Sequence, residues 1–368
     1  MCTQGITRKM FLGSNSYKGF VSLFDYILPK EANKIFFIKG GPGVGKSTFM
    51  KNIGNDMLKR GYDIEEHYCS SDSLSLDGIS IPSLGVALVD GTYPHIQDPK
   101  CPGITGEIVN LAEFLDNEKL VSHKSDIIAL NKDISRCFKI AYSRLAQAKI
   151  LYDEWESYID EAMDRRMFNK ILNDVIHILD IKRDVPEDVF FEPRHVFASS
   201  ISPQGIKDYI PSLIDENMDL LMLDSQPGIG QKIMIYISQL YSSRGFYMEC
   251  FHSPFNPEHL DMLIIPQINK AIINNWGPFK YDNLEDKTRY RIDVDVLLKS
   301  DVLKQYQDEL KYVKQAFKDL IEQSIYYIGK AKAKHDDLEH YYIDAMNFEK
   351  TLIKQNQVLD DILKKAVI

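Results

Sequence analysis

Cysteine is scarce and scattered. Cys2, Cys69, Cys101, Cys137 and Cys250 are odd in number and show no C-x-x-C spacing. That argues against a disulfide framework or a zinc site and for a reducing cytoplasm. Long hydrophobic runs are also missing. No window approaches the roughly 20 apolar residues of a membrane helix, and Met1 to Met10 has no apolar stretch of signal-peptide type. An excess of positive charge is lacking too. Against 53 Asp and Glu stand 44 Lys and Arg, a net charge of −9, which weighs against sequence-independent nucleic-acid binding. The expectation is a cytoplasmic protein with no membrane or nucleic-acid partner. Its 44% hydrophobic content is ample for a core, and 368 residues suggest two or three domains.

What the chain does have is one stretch rich in glycine. Gly40-Gly41-Pro42-Gly43-Val44-Gly45-Lys46-Ser47-Thr48 follows an apolar run, Ile35 to Lys39, and precedes a helix-like segment, Phe49 to Arg60, with Gly61 as its stop. Gly40 to Ser47 satisfies G-x-x-x-x-G-K-[ST], the phosphate-binding P-loop pattern. The residue types follow from the task. Amides must curl around phosphate oxygens, which needs backbone without Cβ atoms in the way. The helix directs its positive end at the same phosphates. Lys46 reaches the β- and γ-phosphates and Ser47 ligates Mg²⁺.

Other strands are expected at Lys9 to Leu12, Tyr62 to Cys69, Ile79 to Pro82 and Val86 to Gly91, with a polar loop at Gly13 to Phe20 and a short helix from Val21 to Leu28 closed by Pro29. Asp90 ends an apolar run and is the candidate second ligand for Mg²⁺. Past Gly106 glycine and proline disappear. From about Glu113 to Lys182, Ile134, Phe138, Ala141 and Leu145, then Trp155, Ile159 and Met163, recur at helical spacing. This predicts a helical hairpin or bundle. Arg144, Arg165 and Arg166 lie within it.

The chain then starts again. Phe197, Ser202 and Gly205 echo Phe11, Ser16 and Gly19 at an offset of 186 (205 − 19). Pro227, Gly228 and Gly230 echo Pro42, Gly43 and Gly45 at 185 (230 − 45), and Leu260-Asp261 echoes Leu76-Asp77 at 184. Ala331-Lys332, Asp336, Glu339 and Tyr341 match Ala148-Lys149, Asp153, Glu156 and Tyr158 at 183. The reading is a tandem duplication of α/β P-loop NTPase domains, each a parallel sheet flanked by helices and followed by a helical extension. Its parts are a core at 1–115, an arm at 116–190, a degenerate core at 191–285 and an arm at 286–368. In the second copy Gln231 takes the place of Lys46, Lys232 that of Ser47, Ser225 that of Gly40 and Asn274 that of Asp90. An uncharged Gln supplies no point charge to a phosphate, so the second copy reads as structural or regulatory.

The segment Phe11 to Gly19, the loop Lys39 to Thr48, Ser70-Ser71-Asp72, Leu76-Asp77-Gly78 and Val89-Asp90-Gly91-Thr92-Tyr93-Pro94-His95 together resemble an uncharacterised bacterial P-loop ATPase family. It is built of two P-loop-like halves and is at home in Gram-positive, often spore-forming bacteria. The resemblance covers essentially the whole chain and implies an ATPase without an assigned substrate; Gln231 departs from members with two complete loops.

The leading expectation is Mg²⁺-dependent hydrolysis of ATP or GTP by the first half. Lys46 and the loop amides neutralise the phosphates, Ser47 and Asp90 hold the metal, and Asp72 or His95 positions the water. Asp77 sits in the same region, and Lys39 is a candidate for reaching across a dimer interface. Two other readings stay open: a P-loop kinase with an arginine-bearing lid, or a nucleotide-dependent switch whose arms recruit a protein partner. The two halves pair within one chain or the chain forms a homodimer. No N-K-x-D guanine reader is present.

Overall fold

The computed structural model describes residues 4–28, 32–92, 97–179 and 191–365. The first half runs β1 (Thr7–Phe11), β2 (Gly13–Ser16), β3 (Gly19–Ser22), β4 (Lys34–Lys39), α1 (Lys46–Lys59), β5 (Ile64–Tyr68), β6 (Leu76–Ile81), β7 (Val86–Asp90), β8 (Gly106–Asn110), α2 (Asn117–Ser122), α3 (Lys124–Ala162) and α4 (Arg165–Leu179). The second repeats it: β9 (Arg194–Val196), β10 (Ser199–Ser202), β11 (Gly205–Asp208), β12 (Asp219–Ser225), α5 (Ile229–Ser243), β13 (Glu249–His252), β14 (Leu260–Ile265), β15 (Lys270–Trp276), β16 (Thr288–Asp293), α6 (Ser300–Gln305), α7 (Gln307–Ala345) and α8 (Phe348–Lys365). The sheet orders, β1-β5-β6-β7-β4-β8 and β9-β13-β14-β15-β12-β16, correspond strand for strand.

The chain is α/β with two sheet-bearing halves. The sheets are mixed, which corrects the expectation of parallel ones. β6 and β14 run antiparallel to both neighbours, while the remaining pairs in each sheet are parallel. The connections explain this. Between β6 and β7 lies only a tight turn over Pro82–Leu84 with Gly85 at φ 62°, repeated at Pro266–Ile268 with Asn269 at φ 55°. A parallel crossover needs a dozen or more residues. The polar segment after Phe11 is also not a loop but the hairpin β2–β3, and the expected helix from Val21 is only a 3-10 turn at Phe24–Tyr26. Pro29 lies outside the described residues.

The β2–β3 segment is extended because the halves meet there. Phe11 and Phe197 exchange backbone hydrogen bonds (2.9 and 3.0 Å), and the buried Asn15 Nδ2 donates to the Ile201 carbonyl (2.9 Å). Beside this contact is a buried ionic cluster. Arg194 donates twice to Glu65 (2.7 and 2.8 Å), and Arg8 bonds Glu249 and Glu65. Each arginine thus pairs with a glutamate of the other half. A single apolar core joins Met10, Leu12 and Val89 to Val196, Met222 and Ile264.

The long helices do not form a hairpin within either half. α3 and α7 have 39 residues each, about 58 Å at 1.5 Å per residue, and pair with each other. Tyr158 stacks on Tyr306 at one end, and Lys334 binds Asp133 (2.6 Å) towards the other, so they run antiparallel. Each helix thereby reaches the opposite half. Asp116 N donates to Ala345 O and Lys299 N to Ala162 O, both at 2.8 Å. The terminal helices follow. Val358, Leu359 and Ile362 of α8 lie in the core of Phe49, Ile53 and Met57, while Ile171, Leu172 and Val175 of α4 lie with Ile233, Ile237 and Tyr241 of α5. The arms are exchanged.

Candidate functional site

β4 and β7 lie side by side and parallel, with Ile38 opposite Asp90, so the glycine loop and Asp90 emerge at the same sheet edge. The loop needs its glycines individually. Gly43 and Gly45 have φ of 71° and 88°, and Gly45 is the N-cap of α1. α1 then buries Phe49, Met50, Ile53 and Met57 on one face and stops at Gly61, φ 87°. The first amides of any helix have no intrahelical acceptor; here they belong to Lys46, Ser47 and Thr48.

Lys46 Nζ curls back to the carbonyls of Gly40 (3.1 Å) and Gly41 (2.7 Å) and lies 3.5 Å from Asp90 Oδ2. Asp90 is further held by Thr92, whose N–H and Oγ1 donate to Oδ1 (2.9 and 2.5 Å). Ser47 Oγ accepts from Leu76 N (2.9 Å), which leaves its proton and a second lone pair. Ser47 and Asp90 offer hard oxygen donors of the kind Mg²⁺ takes. Pro42 is half-buried, Val44 is packed into the core, and Thr48 is exposed.

The other candidates separate. Asp72 accepts from Leu74 N (3.1 Å) and Ser75 Oγ (2.9 Å) and pairs with Lys332 of α7 (3.2 Å). Burial alone would raise its carboxyl, but the Leu74 amide, Ser75 and Lys332 outweigh that and hold it below the ordinary value. Asp77 is buried beside Cys69. Lys39 is engaged within its own half, donating to Gly91 O (2.8 Å) and Gln97 O (2.7 Å) and pairing with Asp98 (2.8 Å). Those bonds tie the end of β4 to Gly91, Gln97 and Asp98. Arg165 and Arg166 are exposed on α4, which packs on the other half. His95 lies outside the described residues.

The arm of the second half lies on this loop. A Cβ on Gly41 would stand 2.5 Å from the Tyr342 ring, and one on Gly43 would stand 2.8 Å from Glu339 O. Lys332, His335 and Glu339 share that face of α7, and His335 Nδ1 lies 3.5 Å from Glu339 Oε1. Burial lowers the His335 pKa; Glu339 and Asp336 oppose this, and Lys332 and Lys46 add to it. The repeat carried the signal for these residues: Lys332, Asp336 and Glu339 match Lys149, Asp153 and Glu156, whereas His335 stands where the first arm has Tyr152 (335 − 152 = 183).

The second loop differs in register from the sequence expectation. Buried Ile233, Met234, Ile237 and Tyr241 of α5 answer Phe49, Met50, Ile53 and Met57, all at 184. Leu260 N donates to Gln231 Oε1 (3.1 Å) just as Leu76 N donates to Ser47 Oγ. Gln231 therefore replaces Ser47, and Gly230 stands for Lys46, because this loop is one residue shorter before its helix. Its space is filled. Ser225 Oγ bonds Asn274 Oδ1 (2.8 Å), and a Cβ on Gly230 would fall 1.8 Å from that oxygen. Lys232 turns away to Asp160. No family model, curated protein or solved structure matches this chain.

Proposed function

We propose that the chain binds and hydrolyses a nucleoside triphosphate, ATP first among them, at the glycine loop of its first half. The observation that carries this reading is the convergence of three groups at one sheet edge. They are a loop of left-handed glycines capping α1, Lys46 folded over that loop, and Asp90 at the end of the adjacent strand, 3.5 Å from Lys46 Nζ. A phosphate entering the loop meets the α1 amides and the Lys46 charge, which are fixed in place before the chemistry begins. Ser47 and Asp90 would hold Mg²⁺, which supplies charge neutralisation across the β- and γ-phosphates when bound.

The second loop takes no part. Its cradle is occupied by the Ser225–Asn274 pair, and the place of Lys46 is a glycine. It serves as scaffold for the arm that packs on it. One nucleotide per chain is the expected stoichiometry, read by isothermal titration. A switch-like use of hydrolysis gains support from the seating of Tyr342 and Glu339 on the loop glycines, since a loop that moves with its nucleotide pushes on α7. A kinase would need an arginine lid over this loop; Arg165 and Arg166 are exposed on an arm that docks on the opposite half, and Arg144 bonds Gln147 on its own helix.

Phosphate release from ATP with no added acceptor tests the reading. Lys46→Ala should lower the rate by at least about 100-fold, as loss of a transition-state charge partner does, and unchanged release would refute the site. Release that starts only on addition of a hydroxyl acceptor would favour transfer over hydrolysis. Gln231→Ala should leave the rate of the folded protein within about twofold, because a change in the second loop is distant from the reacting groups of the first and acts independently of them.

A further inference from the structure

We infer that the first-half site is completed by the second half's arm: His335 of α7, oriented by Glu339, is the base that takes a proton from the water attacking the γ-phosphorus. This rests on the hydrolase reading above. α7 crosses the glycine loop closely enough that Gly41 and Gly43 have no room for a side chain against Tyr342 and Glu339. On the same face, Lys332 is tied to Asp72, the loop acid of the first half, at 3.2 Å. His335 lies one turn before Glu339, between these two anchors, and Lys46 acts on its ring electrostatically.

Three acidic or basic ligand groups meet on this helix, His335, Asp336 and Glu339, but they do not make a cation site. Asp336 is committed to Lys332. What remains is a histidine–carboxylate pair, Nδ1 to Oε1 at 3.5 Å. With Nδ1–H turned to Glu339, Nε2 carries the free lone pair, the arrangement that makes imidazole an acceptor. The internal repeat supplies an independent argument. The arm over the silenced loop keeps the counterparts Lys149, Asp153 and Glu156 but has Tyr152 in place of His335. Tyr152 is fully buried and packs edge-on to Trp276 (5.3 Å). The histidine occurs only over the loop that keeps its lysine.

The water oxygen bonds to the γ-phosphorus while one of its O–H bonds breaks, and the proton passes to His335 Nε2. The bond from the γ-phosphorus to the β–γ bridging oxygen breaks with its electron pair on that oxygen, giving nucleoside diphosphate and inorganic phosphate. His335 then returns its proton to solvent. The charged groups facing the imidazole are Glu339, Asp336 and Lys332 on its own helix and Lys46 from the loop, with Asp72 behind Lys332.

His335→Gln should lower kcat about 100-fold, the smaller end of what a general base contributes. KM and directly titrated ATP affinity should stay within twofold. The unmutated protein should lose rate as pH falls through the acid range and His335 takes up its proton. Glu339→Gln, which removes a charge that favours the protonated ring, should move that limb to lower pH, and this readout does not depend on His335→Gln folding. A kcat within threefold of the parent in His335→Gln, or an acid limb that Glu339→Gln leaves in place, overturns the inference. If those variants turn over normally while Lys46→Ala is inactive, the hydrolase reading survives and only the arm's role falls. If the unmutated protein neither binds nor hydrolyses ATP, both fall.

Discussion

Glu65 and His67 sit two residues apart on β5 and are both buried, yet they shift for opposing reasons. Burial alone would raise Glu65, but Arg194 and Arg8 outweigh it and hold the carboxyl at about 2. Burial lowers His67 to about 3 against the attraction of Glu65. Unfolding returns them to 4.5 and 6.5, so in acid the unfolded chain binds more protons. The His67 contribution is complete above 6.5 and is lost as pH falls to about 3; that of Glu65 is complete above 4.5 and is lost as pH falls to about 2. Asp261, which burial raises to about 6, opposes them; its contribution is complete below 3.8 and is lost as pH rises through 6. Urea midpoints measured from pH 7 down to 3.5 should therefore decline, and a flat profile would contradict the buried cluster. Glu65→Gln removes a buried negative charge that faces both Arg194 and Arg8, and should cost about 3 kcal/mol in the same measurement.

At the scale of the element, α7 lies directly against the glycine loop. Gly41→Ala drives a methyl into the Tyr342 ring. It should weaken ATP binding about tenfold or more, the direction expected of an overpacked contact costing 1–3 kcal/mol, and Tyr342→Ala in the same chain should restore most of it. No restoration would mean that the loop is disturbed by something other than the arm. The loop, α1 and β7 were legible in the sequence because each follows from local rules: glycines for left-handed turns, apolar spacing for the helix, an apolar run for a buried strand. The β2–β3 hairpin was not, because Ser14, Asn15 and Ser16 are polar yet fully buried, Ser14 and Asn15 bonding Ser200 and Ile201 of the other half. Nor was the single-residue shift that puts Gly230 where Lys46 stands, since both loops end in Gly-x-Gly and the alignment by glycines conceals it. The face of α7 over the loop escaped for a plainer reason: nothing in a chain's own periodicity tells which half a helix will pack on.

Across the whole molecule neither half is a closed unit. The first core lacks a cover for Phe49, Ile53 and Met57 without α8, and the second lacks one for Ile233 and Tyr241 without α4. Residues 1–190 made alone should aggregate or bind hydrophobic dye, whereas 1–190 and 191–368 made together should copurify and recover ATP turnover. A first half that is monomeric and cooperative on its own would contradict the exchanged packing.

The exchange of arms also constrains where the chain came from. A helix that leaves its own sheet to cover another's needs a second half to cover. A one-half ancestor with the same packing would have traded arms between two identical polypeptides, with two equal loops and one set of residues serving both. With both halves on one chain that equality is no longer imposed: one loop carries Lys46 and the other Gly230, and the arms above them carry His335 and Tyr152. The asymmetry between Gly230 and Lys46 needs two halves that can vary separately, which one chain carrying both provides.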